Sequence, residues 1–398
     1  MQGPVLHTDI ALIGGGIAGL WTLNQLRASG YSAVLFEHRA LGSEQTIASQ
    51  GMIHGGVKYA LSGAWSGGSE IISTMPDTWR AALAGQGKVD LRGCRVLSDD
   101  FYLWSNTGLQ SRVSTFFASK LLRGRVQKVT GQQRPAPLQD PAFKGQVYRL
   151  VDLVLDVPSL LETLVARHAD AVFSVDWNSA ELQREANQAR IRLPHCTVVP
   201  QQLILTAGSG NAALMQALAA DTPAMQRRPL QQVLVKHEYQ EPFYGHCMGS
   251  NPSPRLTISS HRTQADEPVW YLGGDLATQG TDSDPAVLIE RAREELHGLL
   301  PWIDFGHCEW RTIRLDRAEP KQSKLLRPDT AYVGAIEGID NALVAWPTKL
   351  TLSPDLGNAV EKALQERGIQ PQHQPDLATL SALGQPPVAK ACWDSLFA

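Results

Sequence analysis

The sequence predicts an α/β fold with two domains, and three observations predict it. An apolar strand, a glycine-rich turn, an apolar helix and a second apolar strand follow one another between Asp9 and Glu37. A further strand, residues 203–205, runs into a second glycine turn and a helix. Elsewhere, short runs with alternating polarity are typical of antiparallel strands.

The first of these regions carries a glycine motif. Residues 9–13 are suited to a buried strand, and Gly14, Gly16 and Gly19 then give the pattern G-x-G-x-x-G. Gly14 permits a tight turn, and Gly16 lets the backbone approach a pyrophosphate. Gly19 lets the following helix lie close on the sheet. Because the strand and the helix are both present, the motif predicts a dinucleotide site rather than an ordinary glycine turn.

The elements after the glycine motif support the same prediction. The helix starts at Ile17 and Ala18, and its free N–H groups and dipole favour phosphate. The second strand, residues 32–36, ends before Glu37 and His38, which we assign to the same site. A carboxylate here can accept hydrogen bonds from a ribose diol, so Glu37 favours NAD or FAD over NADP.

Composition narrows the class of protein. The 398 residues are 43% hydrophobic and 19% charged, with a net charge of −3, which is ordinary for a soluble enzyme. There is no basic excess to indicate nucleic acid and no apolar run of the roughly 20 residues that cross a bilayer. The five cysteines lack C-x-x-C spacing, which argues against a disulfide framework or a metal site. We therefore expect a cytoplasmic protein.

The loop after the second strand holds further candidates. Thr46, Ser49 and Gln50 are suited to hydrogen-bond phosphates or the edge of a flat ring. Gly51 permits close approach of the backbone to such a ring. Taken alone, the run is equally consistent with a glycine-rich loop packed on the sheet.

The run IHGGVKY, residues 53–59, together with the glycine motif resembles the D-amino-acid oxidase superfamily of flavoproteins. Within it, the run is most similar to FAD-dependent glycerol-3-phosphate dehydrogenases and L-2-hydroxyglutarate oxidases. The resemblance implies FAD rather than NAD, with this segment beneath the flavin. The turn at Ala207 and Gly208 resembles the one that closes over FAD in two-dinucleotide-fold flavoproteins. Alone, it would be consistent with any strand–turn–helix unit.

A later run, PTKLT at residues 347–351, resembles the Gly-Gly-Lys-Leu-Thr run of glycerol-3-phosphate dehydrogenases. The resemblance implies that Lys349, with Leu350 and Thr351, lies at the pyrimidine edge of the flavin. A lysine there would stabilise the negative charge of the reduced cofactor. The chain lacks the two glycines before the lysine and the arginine after the threonine, and we expect it to lack the family's extra C-terminal domain. The resemblance therefore does not specify glycerol 3-phosphate.

The resemblance also implies catalytic residues. Arg314 falls nearest the family position for an arginine that grips an anionic substrate, and Arg317 is second. Each is equally consistent with a surface arginine in a charged turn. His54 is the best-placed imidazole for a general base, and the same position is compatible with covalent flavin attachment or with packing alone. His261 and Lys236 are reserve candidates in the second domain.

Together these observations predict a Rossmann-like FAD-binding domain of the two-dinucleotide-fold type and an antiparallel-sheet α+β substrate domain. We expect oxidation of a CH–OH group of a small anionic substrate, a 2-hydroxy acid or polyol phosphate, by hydride transfer to flavin N5. The alternatives are an amino-acid or amine oxidase and a flavin-carrying subunit of an electron-transfer or modification complex. Oxygen, a quinone and a protein remain open as electron acceptors. The predicted FAD-binding domain comprises residues 1–86, 147–229 and 312–369, the substrate domain 87–146 and 230–311, and the tail 370–398.

Overall fold

The computed structural model describes residues 3–57, 67–106, 126–251, 253–321 and 330–398. The sequence also predicts a helix over residues 111–122, and this segment and the end of the IHGGVKY run lie outside the described residues. The strands in the described part of the chain are, in order, β1 (Val5–Ile13), β2 (Ala33–Glu37), β3 (Met52–Ile53), β4 (Val96–Ser98), β5 (Phe101–Ser105), β6 (Val126–Val129), β7 (Gln146–Leu150), β8 (Leu153–Leu155), β9 (Val172–Ser174), β10 (Glu181–Glu185), β11 (Gln188–Arg192), β12 (Thr197–Leu205), β13 (Met225–Lys236), β14 (Gly245–Met248), β15 (Pro254–Arg262), β16 (Pro268–Gly273), β17 (Glu309–Pro320), β18 (Tyr332–Ala335) and β19 (Ala342–Trp346).

The sequence also predicts helices near residues 69–84, 285–300 and 355–365, and the structure contains each of them, together with the helix after the glycine motif. Two long helices begin after an aspartate whose side chain accepts a backbone N–H, which satisfies one free donor of the first turn. The α-helices in the described residues are α1 (Ile17–Ala28), α2 (Gly67–Leu83), α3 (Val157–Arg167), α4 (Asn211–Ala217), α5 (Asp275–Gln279), α6 (Pro285–Leu299), α7 (Ser353–Glu366) and α8 (Cys392–Leu396).

The first sheet has a parallel core in the order β9–β2–β1–β12–β19. Residues of α1, α2, α3 and α7 cover one face, and a second apolar cluster covers the other. Burial on both faces explains why residues 10–13 of β1 and 33–36 of β2 are continuous apolar runs rather than alternating ones. The predicted α/β fold class is confirmed.

One predicted strand pairing is wrong. Residues 172–175 and 189–193 alternate in polarity, and this pattern predicts that they are hairpin strands. In the structure β9 joins the parallel edge beside β2, and the hairpin is formed by β10 and β11. Alternating polarity reports that a strand has two different faces, and it carries no information about the partner strand.

The second sheet runs β17–β13–β16–β15–β14–β5–β7–β6 and is antiparallel except between β14 and β5. β7, β13 and β17 belong to it, and they extend across the predicted domain limits near residues 147, 230 and 312. β13 and β17 pair along their full length. A small third sheet, β3–β8–β4, joins the segment after Gly51 to the strand that follows β7.

The C-terminal tail packs on both domains. Val388 forms an isolated bridge with Leu41, and the Trp393 indole donates to the Arg262 carbonyl oxygen, at 2.9 Å. Trp393 is 3% exposed, so this residue anchors α8 to the residues of β13 and β16 that it packs against. None of the helices in the described ranges is long and apolar enough to span a membrane.

Candidate active site

A cleft of about 600 Å³ opens at the carboxyl ends of β1, β2, β12 and β19, between the two large sheets. Ligands bind at this edge of open α/β sheets because the strand-to-helix turns converge there. Most of the residues predicted from the sequence line this cleft. They are Gly14, Gly16, Ile17, Ala18, Glu37, His38, Thr46, Ser49, Gln50, Gly51, His54, Ala207, Gly208, Lys349, Leu350 and Thr351.

The glycine turn after β1 is closely packed. Gly14 has φ +113°, and a Cβ there would lie 2.5 Å from the Cα of Ala207. A Cβ on Gly19 would lie 2.0 Å from the Gly14 carbonyl oxygen, so Gly19 serves helix packing and does not line the cleft. The N–H of Ile17 donates to Thr46 Oγ1 at 3.1 Å. The two predicted phosphate-binding segments therefore meet at the start of α1.

Glu37 is held in one orientation at the end of β2. Its Oε2 accepts the Gly15 N–H at 2.6 Å, and its Oε1 accepts the N–H groups of His38 and Arg39, each at 2.8 Å. The residue is only 8% exposed. Because a carboxylate oxygen has two lone pairs, Oε2 retains capacity for a ribose hydroxyl. The ribose contact remains a prediction.

The middle of the cleft fits a dinucleotide cofactor. Ser49 Oγ is buried there and has no hydrogen-bond partner within the described ranges, as expected for a group that awaits a ligand. Gly51 has φ +71°, and a Cβ there would lie 2.0 Å from the Leu155 carbonyl oxygen. A side chain at residue 51 is therefore excluded, and the backbone itself forms the wall.

His54 is held by a buried carboxylate that the sequence analysis did not identify. Its Nδ1 lies 3.0 Å from Asp152 Oδ2, and Asp152 Oδ1 accepts the Gly55 N–H at 2.8 Å. Asp152 is 2% exposed. Because a carboxylate can only accept hydrogen bonds, Nδ1 carries the hydrogen in the neutral imidazole. The acceptor lone pair of the ring is therefore on Nε2. That tautomer is the one a general base requires.

Aromatic groups fix the plane of the His54 ring. His246 stacks on it with ring centroids 5.4 Å apart, and Phe101 meets it edge-on at 6.1 Å. His246 Nδ1 lies 2.8 Å from Thr257 Oγ1. Phe101 and His246 lie on strands of the second sheet, and no sequence motif predicts that they contact His54.

The structure brings Arg317, and not Arg314, to the cleft. Leu315 and Arg317 line it, whereas Arg314 is exposed and its Nη1 donates to the Thr281 carbonyl oxygen at 3.1 Å. Side chains alternate along a strand, so residues an odd number apart on β17 face opposite sides. Arg314, which the family position predicts, therefore faces away from the cleft, and Arg317 becomes the candidate for the anion-binding arginine.

The two reserve candidates lie outside the cleft. Lys236 pairs with Glu267 at 3.1 Å and Glu309 at 2.7 Å. His261 is stacked on Trp393 at a centroid distance of 4.1 Å, and burial lowers its pKa to about 3. Neither side chain lines the cleft.

The PTKLT run meets the IHGG run at the cleft. The His54 N–H donates to Thr351 Oγ1 at 3.0 Å, and the Trp79 indole donates to the Thr351 carbonyl oxygen at 3.0 Å. Thr348 has φ +61°, a left-handed conformation that is strained for a β-branched residue. The run that residues 347–351 resemble has a glycine at this position, and glycine adopts a positive φ without strain.

The second sheet places Gln232 and Tyr271 near the cleft, two polar residues that no sequence motif indicates. Gln232 lines the cleft, and the Tyr271 hydroxyl lies 3.0 Å from both Gln232 Oε1 and the Ala48 carbonyl oxygen. Gln50 Nε2 donates to Ser259 Oγ at 3.0 Å and to the Tyr271 carbonyl oxygen at 2.7 Å. Burial raises the pKa of Tyr271, which therefore stays protonated.

Comparisons with known proteins agree with this geometry. The model of the DAO family, described as FAD dependent oxidoreductase, matches residues 9–325. A probable FAD-dependent oxidoreductase from Pseudomonas aeruginosa is 47% identical over 395 residues, with 99% of each chain covered. The crystal structure of an FAD dependent oxidoreductase from P. aeruginosa matches with a TM-score of 0.85 and 42% identity over 99% of both chains.

More distant solved structures share the fold. Glycine oxidase from Geobacillus kaustophilus has a TM-score of 0.65 at 16% identity, covering 94% of this chain and 98% of its own. L-α-glycerophosphate oxidase from Mycoplasma pneumoniae, solved with FAD bound, has a TM-score of 0.63 at 13% identity, covering 96% and 99%. At these identities the likeness concerns the fold alone.

Proposed function

The chain belongs to the DAO family of FAD-dependent oxidoreductases, and we propose that it oxidises a CH–OH group of a small anionic substrate. A 2-hydroxy acid or a polyol phosphate is the substrate class that we favour. FAD as the cofactor, predicted from the sequence, is confirmed by the family. When bound, FAD supplies the acceptor for the two electrons and the hydride. Side chains of the protein bind the substrate and remove its hydroxyl proton.

The observation that carries the proposal is the His54–Asp152 pair. Oxidation of an alcohol requires a base for the hydroxyl proton, whereas an amine substrate can simply bind in its neutral form. We assign the proton to His54 Nε2. The Asp152 carboxylate, 3.0 Å from Nδ1, would stabilise the positive charge that develops on the ring. Asp152 therefore acts as a positioning residue, through His54.

The preference for an anion rests on Arg317. Its guanidinium offers a planar fork of donors that matches a carboxylate or a phosphate and keeps its charge at every physiological pH. It lies on β17, a strand paired along its whole length with β13, and so on a rigid support. Arg317 replaces Arg314 in the proposed site.

Lys349 contributes a second positive charge at the cleft. It lies just before α7, which begins at Ser353 and whose N-terminus carries the positive end of the helix dipole. We propose that the two together stabilise negative charge on the reduced cofactor.

An amine or amino-acid oxidase is the second candidate. Glycine oxidase and glycerophosphate oxidase share this fold, so the fold does not choose between CH–NH and CH–OH chemistry. The Asp152 carboxylate beside His54 favours oxidation of a hydroxyl group. An amine substrate that binds in its neutral form needs no base, so no positive charge would develop on His54 for the carboxylate to stabilise.

An anaerobic substrate screen tests the proposal. The FAD-loaded enzyme is mixed with a pool of 2-hydroxy acids and polyol phosphates, or with a pool of amino acids and secondary amines, and the visible flavin absorbance is followed. We expect rapid bleaching by the first pool and much slower bleaching in His54→Asn. Bleaching by the second pool alone would refute the proposal. Bleaching by neither would favour a subunit that receives electrons from a partner protein.

A further inference from the structure

Two glutamine side chains meet at the cleft from different parts of the chain. Gln50 precedes Gly51 in the segment after β2, and Gln232 lies on β13 of the second sheet. Both residues line the cleft. Gln50 is half-buried, and Gln232 is 4% exposed. Neither side chain takes part in the proton transfer that we assign to His54.

The Gln50 side chain is held in one orientation. Its Nε2 donates to the Tyr271 carbonyl oxygen at 2.7 Å and to Ser259 Oγ at 3.0 Å. Because a carbonyl oxygen can only accept, the nitrogen end of this amide must face the second sheet. Its Oε1 has no hydrogen-bond partner in the described part of the chain, and it is not one of the fully buried atoms that lack a partner. Gln50 therefore presents an accessible acceptor oxygen.

Gln232 is turned the other way. The Tyr271 hydroxyl donates to its Oε1 at 3.0 Å. Its Nε2 makes no hydrogen bond within the described residues, and it too is not one of the fully buried atoms that lack a partner. The accessible end of Gln232 is therefore a donor, although most of this side chain is covered.

The accessible ends of the two amides face one point beside Gly273. A Cβ built on this glycine would lie 2.8 Å from Gln50 Oε1 and 3.5 Å from Gln232 Nε2. A hydroxyl group both donates and accepts hydrogen bonds, so it matches this pair of amide ends. An apolar group in the same place would leave the donor and the acceptor unpaired.

The register of β13 and β17 relates this pair to Arg317. Arg317 is directly opposite Arg228, and Gln232 lies four residues further along β13. Four residues of a strand span about 14 Å, so the two positions are that far apart along the sheet. Leu230 and Leu315 pair with each other between them and also line the cleft. This wall of the cleft therefore runs from a cation, across an apolar stretch, to the two amides.

We propose that Gln50 and Gln232 are specificity-determining residues that bind a second hydroxyl group of the substrate. This inference rests on the proposed function, since it takes the anionic group to be at Arg317. In a simple 2-hydroxy acid the one hydroxyl lies next to the carboxylate and is itself oxidised, so no group is left for the amides. The favoured substrates are polyol phosphates and hydroxy acids with a further hydroxyl at the far end of a short carbon chain.

Calorimetric titration of the FAD-loaded enzyme tests this position with two matched pairs of ligands. 3-Hydroxypropyl phosphate and propyl phosphate differ only in the terminal hydroxyl, as do 4-hydroxybutanoate and butanoate. All four lack a hydroxyl on the carbons in between, so binding is measured without oxidation there. We expect the hydroxylated member of a pair to bind about five- to tenfold more tightly, through one net hydrogen bond. The pair that shows this preference identifies the anion as a phosphate or a carboxylate.

Gln232→Met should reduce the preference to about twofold or less, because only the hydroxylated ligand loses a partner. The Tyr271 hydroxyl keeps the Ala48 carbonyl oxygen, at 3.0 Å, as an acceptor, so the variant should retain its FAD. Gln231→Met is the matched control. Gln231 is also 4% exposed, but it lies on the other face of β13 and is not one of the described residues that line the cleft. If Gln232→Met does not fold, Gln50→Met makes the same test.

The outcomes separate this inference from the proposed function. Binding of none of the four ligands, equal affinities within both pairs, or a preference that Gln232→Met retains would overturn the inference, whether or not the substrate pools bleach the flavin. Loss of FAD from Gln232→Met would mean that the amide contacts the cofactor instead. Bleaching by 3-hydroxypropyl phosphate would mean that the terminal hydroxyl lies at the flavin, which also contradicts the inference. A preference that depends on Gln232, without bleaching by the first pool, would support the binding position and refute only the proposed oxidation.

Discussion

Replacing Asp152 by Asn tests the proposed base directly. In the native chain Asp152 Oδ1 accepts the Gly55 N–H at 2.8 Å, and Oδ2 faces His54 Nδ1 at 3.0 Å. The single oxygen of Asn must serve the Gly55 donor, which leaves its NH₂ group facing Nδ1. Nδ1 then becomes the acceptor and Nε2 carries the hydrogen. The imidazole is thereby held in the tautomer that cannot accept the substrate proton.

The expected loss is that of general-base catalysis, about 10²–10⁴-fold in the rate of flavin reduction. Stopped-flow absorbance under anaerobic conditions, with the substrate found in the screen, measures this rate as a function of pH. FAD content should be unchanged because the Gly55 hydrogen bond survives. The acid limb of the rate–pH profile should be lost or displaced, an effect that a purely structural role for Asp152 would not produce.

A matched variant separates this effect from the general cost of altering a buried acid. Asp156 is 8% exposed, and its carboxylate accepts the Ser159 N–H at the start of α3. Asp156→Asn should lower stability and leave the rate of flavin reduction unchanged. A rate for Asp152→Asn within about threefold of the native enzyme, with the same pH profile, would refute the assignment of His54 as base.

Three further predictions follow from the site and the core. Arg317→Met should raise KM about ten- to a hundredfold, whereas Arg314→Met should leave steady-state kinetics unchanged. The reverse pattern would show that Arg314, the residue nearest the family position, binds the substrate. Gly14→Ala should release FAD, and it should lower the free energy of unfolding by about 1–3 kcal/mol more than Gly368→Ala does, as measured by denaturant titration. Both glycines have a positive φ, but only residue 14 lacks space for a Cβ. The free energy of unfolding should decrease as the pH is lowered from 6.5 to about 4. In this range His237 binds a proton in the unfolded chain, whereas in the folded chain burial lowers its pKa to about 4 and it does not. An equal decrease in His237→Phe would contradict this explanation.

The nucleotide-binding half of the protein can be predicted from local sequence patterns. The turn at Gly14, the packing of Gly19 and the acid at Glu37 each depend on residues close in the chain, and each has a backbone requirement that few residues meet. The same holds for the cofactor, because the glycine motif and the run around His54 carry recognisable spacing. These features are local, so a linear pattern is sufficient to predict them.

The surroundings of the proposed catalytic residues depend on contacts between segments that are distant in the chain. Asp152 is 98 residues from His54 in sequence and meets it because β8 pairs with β3. The choice of Arg317 over Arg314 depends on which face of β17 turns toward the cleft, and both faces carry polar residues. Such contacts are set by the register of strands distant in the chain, and register is a property of the assembled sheet that no local pattern records.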